Sequence, residues 1–299
     1  MIKNKLKSII ILCLISLASC SKDDEATLVE IPEKKLKSIT SSQGATTNTT
    51  TFNYDDSGKW ISGVNRFGQN YTITYTSNRK ISLFDVVNQP SEIEYIYSQA
   101  PDFSLNKIKV DTYETDLIYN NFKITELEFY DGSIQNRLLI TYDVNGRIAS
   151  ITNNEELTRV SYTYDNLDRI IRVDKLGTGN PTDPYVIVSY AEYQYESHKN
   201  SVYQFFKEQM DFDQLLFCPI DIYPFFSRIF SYTDYNNIYI LSEYNIKSIK
   251  EYNANNTTQP IFDVTMNYTL EDNKVMSFTT TTIYNGSATT ESTSYTYEN

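Results

Sequence analysis

The chain has 299 residues and a formal net charge of -12, from 26 Lys and Arg against 38 Asp and Glu. That balance excludes a nucleic-acid-binding surface, which needs a clustered positive field, whereas basic residues such as Lys59, Arg147 and Arg169 are spread one to a repeat. Tyrosine, with 26 residues, dominates a composition that is 14% aromatic, and a chain of this length is compatible with one large all-β domain.

The first element is a leader. Lys3, Lys5 and Lys7 make a positive start, the apolar run from Ser8 to Ser16 is too short to span a bilayer, and Leu17-Ala18-Ser19 leads directly into Cys20. A secretory signal whose small residues run into a cysteine has the pattern of a bacterial lipobox. It predicts a signal peptide over residues 1–19 and lipidation of Cys20 as the first mature residue, so that the membrane is a partner through the lipid. Residues 20–33, with the acidic Asp23-Asp24-Glu25, are predicted to be a flexible tether. Cys13 then leaves with the leader and Cys20 is acylated. Cys218 remains alone among Leu215, Leu216, Phe217 and Ile220, which predicts an inert buried thiol and no intramolecular disulfide.

From residue 34 to 299 a single repeat domain is predicted. Tyr54-Asp55-Asp56-Ser57-Gly58-Lys59-Trp60, Tyr142-Asp143-Val144-Asn145-Gly146-Arg147-Ile148 and Tyr164-Asp165-Asn166-Leu167-Asp168-Arg169-Ile170 share one plan. A strand ends in Tyr, a four-residue polar turn follows, and a basic and an apolar residue open the next strand. Tyr75-Thr76-Ser77-Asn78-Arg79-Lys80-Ile81 follows the same plan, weaker copies begin at Tyr97, Tyr119, Tyr195, Tyr244 and Tyr268, and the chain stops at Tyr297-Glu298-Asn299. A spacing of about 22 residues accommodates two short strands and two turns, so each repeat is a β-hairpin. Gly or Asn supplies the positive φ of the turns. Segments such as Tyr71-Thr72-Ile73-Thr74-Tyr75 alternate apolar with polar side chains and so bury one face. The predicted fold is an all-β antiparallel meander of about 16 short strands, closed or strongly curled into a barrel-like shape that hides its edges. Trp60, the sole tryptophan, takes a slot that other repeats fill with Ile and is predicted to be core.

Two stretches break the rhythm. Leu176 to Pro184 is rich in Gly, Pro and Asn and reads as a lengthened hairpin loop. Residues 203–241 form an aromatic insertion, with a short helix expected from Glu208 to Phe217. Tyr223, Phe225 and Phe226 are its candidate ligand contacts, either as an exposed aromatic platform or as a plug filling the barrel.

No catalytic motif is present: there is no phosphate-cradling Gly loop, no GxSxG elbow and no zinc-ligand helix. His198, the one histidine, lies in Glu196 to Asn200, which reads as a turn. Asp211 and Asp213 lie in the insertion and are the carboxylate pair that a hydrolase would use. No catalytic residue, metal ligand or cofactor is therefore assigned, and no enzyme activity is expected.

The Tyr-Asp turn motifs resemble the tyrosine-aspartate repeats of wall-associated and Rhs-type shell proteins. The whole arrangement, a lipobox, a tyrosine-rich meander and a late aromatic insertion, looks more like a family of Bacteroidetes surface lipoproteins of unknown function with a porin-like fold. Ser21-Lys22-Asp23-Asp24-Glu25 resembles the acidic tract that marks such lipoproteins for export to the cell surface. The resemblance implies an outer-membrane lipoprotein exposed on the cell surface, and it carries over no catalytic residue. The expected function is a non-enzymatic binding or accessory module for a glycan or an envelope protein. A purely structural envelope scaffold and a carbohydrate-active hydrolase are the alternatives.

Overall fold

A computed structural model describes residues 35–87, 92–99, 104–110, 113–131, 133–209 and 242–298. Its strands are β1 (Leu36–Gln43), β2 (Thr46–Tyr54), β3 (Trp60–Val64), β4 (Asn70–Tyr75), β5 (Ile81–Val86) and β6 (Glu92–Tyr97). They continue with β7 (Leu105–Val110), β8 (Tyr113–Asn120), β9 (Lys123–Asp131), β10 (Ile134–Tyr142), β11 (Ile148–Asn153) and β12 (Thr158–Tyr164). The last are β13 (Ile170–Gly177), β14 (Val186–Lys199), β15 (Tyr244–Asn253), β16 (Phe262–Glu271), β17 (Lys274–Tyr284) and β18 (Ser287–Tyr297). One helix, α1 (Ser201–Gln209), follows β14.

Each strand runs antiparallel to the next, and β18 returns to pair with β1 through Ile39↔Tyr295 and Thr40↔Ser294. The meander is thus a closed 18-stranded barrel, without the open edges that would invite pairing with other chains. About 16 strands were expected from the turn motifs. Those motifs count joints between hairpins, and a chain of nine hairpins has only eight joints, the ninth being the β18–β1 seam. Tyr244 is no strand-ending copy of the motif: it opens β15.

The turns form as their residues dictate. Asp55, Asp143 and Asp165 each accept backbone N–H bonds from the residues two and four places on, all at 2.9 to 3.0 Å. The fourth position is left-handed, with φ of 81° at Gly58 and 83° at Gly146.

Alternation places one face of every strand inside. Ile39, Phe52, Trp60, Ile81, Leu127 and Phe278 are buried there. The outer face carries Lys107, Glu114, Asp116, Glu128, Arg137 and Arg172, all in ion pairs. A transmembrane barrel has the opposite arrangement, and each Lys or Arg at these mid-strand positions would cost about 2–4 kcal/mol in lipid, each Asp or Glu less. The barrel wall is built to face water.

Candidate functional site

The repeat tyrosines converge on one end of the barrel. Near the end of every even-numbered strand a tyrosine donates its hydroxyl proton to the backbone carbonyl of a residue near the start of the strand before it. Tyr97 bonds Ile81, Tyr142 bonds Ile124 and Tyr195 bonds Ile170, each at 2.7 Å. Tyr54, Tyr75, Tyr119, Tyr164, Tyr268 and Tyr297 complete a ring of nine such latches. In seven units the residue before the accepting carbonyl is Lys or Arg, its cation 3.6 to 5.7 Å from the centre of the same tyrosine ring. In those seven units the basic-apolar pair therefore grips one tyrosine twice, by cation–π attraction and by a hydrogen bond. Ser104 and Asn245 hold the cation's place in the other two units.

The insertion leaves the barrel from this end, between β14 and β15. Asn200 caps α1, its Oδ1 accepting from the N–H groups of Val202 at 3.1 Å and Tyr203 at 3.3 Å. The i, i+3, i+4 spacing of Val202, Phe205 and Phe206 gives the helix one buried face. Phe205 stands 5.0 Å from Phe52 and 5.8 Å from Trp60, ring centre to ring centre, and Phe206 5.9 Å from Trp60. The Trp60 N–H donates to Gln209 Oε1 at 3.0 Å. The first turns of the insertion thus pack on the inner face and cap the barrel at the tyrosine ring. The helix observed is Ser201–Gln209, and the expected helix from Glu208 to Phe217 lies, beyond Gln209, outside the described residues.

Away from the ring the inner face turns polar. Ser41, Thr50, Asn153, Thr280 and Thr293 are buried there, each two positions further from the ring than Ile39, Phe52, Ile151, Phe278 and Tyr295 on the same strands. Glu291 shares this region. Burial pushes its carboxyl above the ordinary carboxylate range, against the opposing pull of a Ser41 hydrogen bond and the Arg66 guanidinium. Sequence reading did not single out Arg66 or Glu291, since neither stands in a recognisable motif and only strand register brings them together.

Trp60 is fully buried and its indole N–H donates to Tyr71 Oη at 3.1 Å, as the core assignment requires. His198 is not in a turn but in the long strand β14, its ring 4.9 Å from that of Tyr268 in an edge-on contact. Burial lowers the pKa of its imidazole, with Glu196 pulling the other way. Cys20, Asp211, Asp213, Cys218, Tyr223, Phe225 and Phe226 lie outside the described residues. Among the described residues no group of three or more His, Cys, Asp or Glu is placed to hold a metal ion.

No protein-family model matches the chain, and no curated protein matches it. Among solved structures it is similar to a porin-like protein from Bacteroides uniformis, at 14% identity and a TM-score of 0.47, over 88% of this chain and 96% of that one. A porin-like protein from Bacteroides vulgatus matches at 12% identity and a TM-score of 0.42, over 89% and 99% of the two chains. A structure of the Photorhabdus luminescens Tc holotoxin pore matches at 14% identity and a TM-score of 0.33, over 77% of this chain and 10% of that one. The fold itself stands on the strand ladders of this chain.

Proposed function

We propose that the chain is a lipid-anchored protein of the cell envelope, held at the outer membrane through Cys20, exposed on the cell surface, and acting as a non-enzymatic binding or accessory module. The observation that carries this reading is the outer wall. A closed barrel with ion pairs along its outside and apolar side chains within cannot dissolve in a bilayer. It needs a separate anchor to stay at a membrane, and the lipobox at Leu17 to Cys20 supplies one a short way upstream of Lys35. A glycan or another envelope protein is the partner proposed, with the insertion residues Tyr223, Phe225 and Phe226 as candidate contacts. The second reading is a structural scaffold, favoured by the nine tyrosine latches, which brace every hairpin of the ring.

Metabolic labelling with palmitate, followed by membrane fractionation and protease treatment of intact cells, tests the placement. The full-length chain is expected to be labelled, to sediment with the outer membrane and to be cleaved from outside. The Cys20→Ala variant is expected to lose the label and the sedimentation together. Labelling that survives in the variant would remove the anchor from the proposal.

A further inference from the structure

The outer wall of the barrel is not uniform. Across β7 to β10, Lys107, Asp116, Glu128 and Arg137 are successive cross-strand partners, and across β13 to β16 so are Arg172, Glu192, Lys250 and Asp263. Both rows are charged throughout. On β16, β17, β18, β1 and β2 the rows consist of hydroxyls instead, with one amide, Asn267. One row is Thr269, Ser277, Ser294, Thr40 and Thr49, each directly opposite the next. The neighbouring row is Asn267, Thr279, Ser292, Ser42 and Thr47, in the same register. Every one of these side chains is exposed or half-buried.

Strand geometry makes this a lattice, with steps of about 4.8 Å across the strands and roughly 6.8 Å along them. Some hydroxyls bond sideways, as Thr40 does to Thr49 and Ser42 to Thr47, both at 3.0 Å. A hydroxyl has one donor and two acceptor sites, so a sideways bond leaves capacity facing outward. The two rows contain no Asp, Glu, Lys or Arg on a chain whose net charge is -12. A polyanion finds no cation there and is repelled by the rest of the molecule, while a polycation is drawn to carboxylates elsewhere. An uncharged polyhydroxyl partner has neither handicap: it exchanges hydrogen bonds in both directions and strips no ion of its water.

We infer that the outer wall of β16, β17, β18, β1 and β2 is a docking surface for an uncharged polysaccharide lying along the hydroxyl rows. This deepens the binding part of the proposed function, and rests on it, by naming a wall rather than the aromatic insertion as the contact. The test measures retention of the full-length chain on cellulose and on a neutral mannan, with heparin as the charged comparison. Thr49→Lys/Ser292→Lys adds charge at two exposed positions, and Thr47→Val/Thr49→Val removes hydroxyls while keeping strand-forming shapes. A third variant changes Tyr223, Phe225 and Phe226 to Ala.

The parent is expected to be retained on at least one neutral polysaccharide, with no loss when salt is raised to about 0.5 M, since no ion pair is screened. Retention should fall about tenfold in the folded Lys variant and several-fold in the Val variant, a tenfold fall corresponding to about 1.4 kcal/mol. Equal retention by the parent and by both folded wall variants overturns the inference. So does binding to heparin alone that salt abolishes, or failure of the parent on every neutral polysaccharide. Loss in the insertion variant with full retention in the wall variants overturns the wall while leaving a glycan-binding protein. The palmitate and protease results bear only on the envelope placement and are unaffected by wall substitutions.

Discussion

Tyr164 condenses the chemistry of the repeat. Its hydroxyl donates to the Ile148 carbonyl at 2.8 Å while the Arg147 guanidinium lies 4.4 Å from its ring centre. Arg147 is itself held by the Asp143 carboxylate at 2.7 Å and by Asp168 at 2.6 Å. Tyr164→Phe keeps the ring and the cation but leaves the carbonyl short of a partner, so a loss of about 1–2 kcal/mol is expected in urea unfolding. An unchanged midpoint would mean that solvent satisfies the carbonyl equally well. Tyr142, Asp143 and Arg147 were legible in the sequence as one turn motif, because they stand within six places of one another, but the meeting of Arg147 with Tyr164, 17 residues further on, was not. The accepting carbonyl was not, since it lies 16 residues away and only hairpin register brings it under the hydroxyl.

At the scale of the element, α1 shows how packing chooses among signals that composition leaves open. The helix expected from Glu208 to Phe217 lies, beyond Gln209, outside the described residues. The cap at Asn200 and the spacing of Val202, Phe205 and Phe206 place the helix start immediately after β14. Those signals were present in the sequence within seven residues of one another. Phe206→Ala is expected to lower stability by about 3–5 kcal/mol, because the side chain is fully buried against Phe52 and Trp60. The exposed turn residue Val144 serves as the contrast: Val144→Ala should change stability by less than about 0.5 kcal/mol. Similar losses in the two variants would show that α1 is not a cap on the barrel interior.

For the whole molecule, the ring of phenols makes stability a function of alkaline pH. Burial raises the pKa values of Tyr54, Tyr75, Tyr164 and Tyr195 well above the ordinary value, and of Tyr297 in the same direction. A raised folded-state pKa means that the unfolded chain ionises first. The stabilisation is complete below about pH 10 and is lost as the pH climbs from there towards the folded-state values. Thermal midpoints should therefore be level up to about pH 9 and fall steeply above about pH 10.5, with phenolate absorbance appearing together with unfolding. Phenolate absorbance that appears gradually while the barrel stays folded would contradict the burial of the ring.

By itself the sequence determined the hairpin unit, its turns and its period, since each rests on residues a few places apart whose backbone preferences act locally. Tertiary structure alone decided that the strands number 18, that the apolar face looks inward and that the ring closes. Closure joins Ser38 to Thr296 by a hydroxyl bond of 2.7 Å across a separation of 258 residues, which no local preference can specify. The hydroxyl rows belong to the same class. Ser and Thr were visible everywhere along these strands, but a row exists only when register aligns them, and register is set by burial of the opposite face.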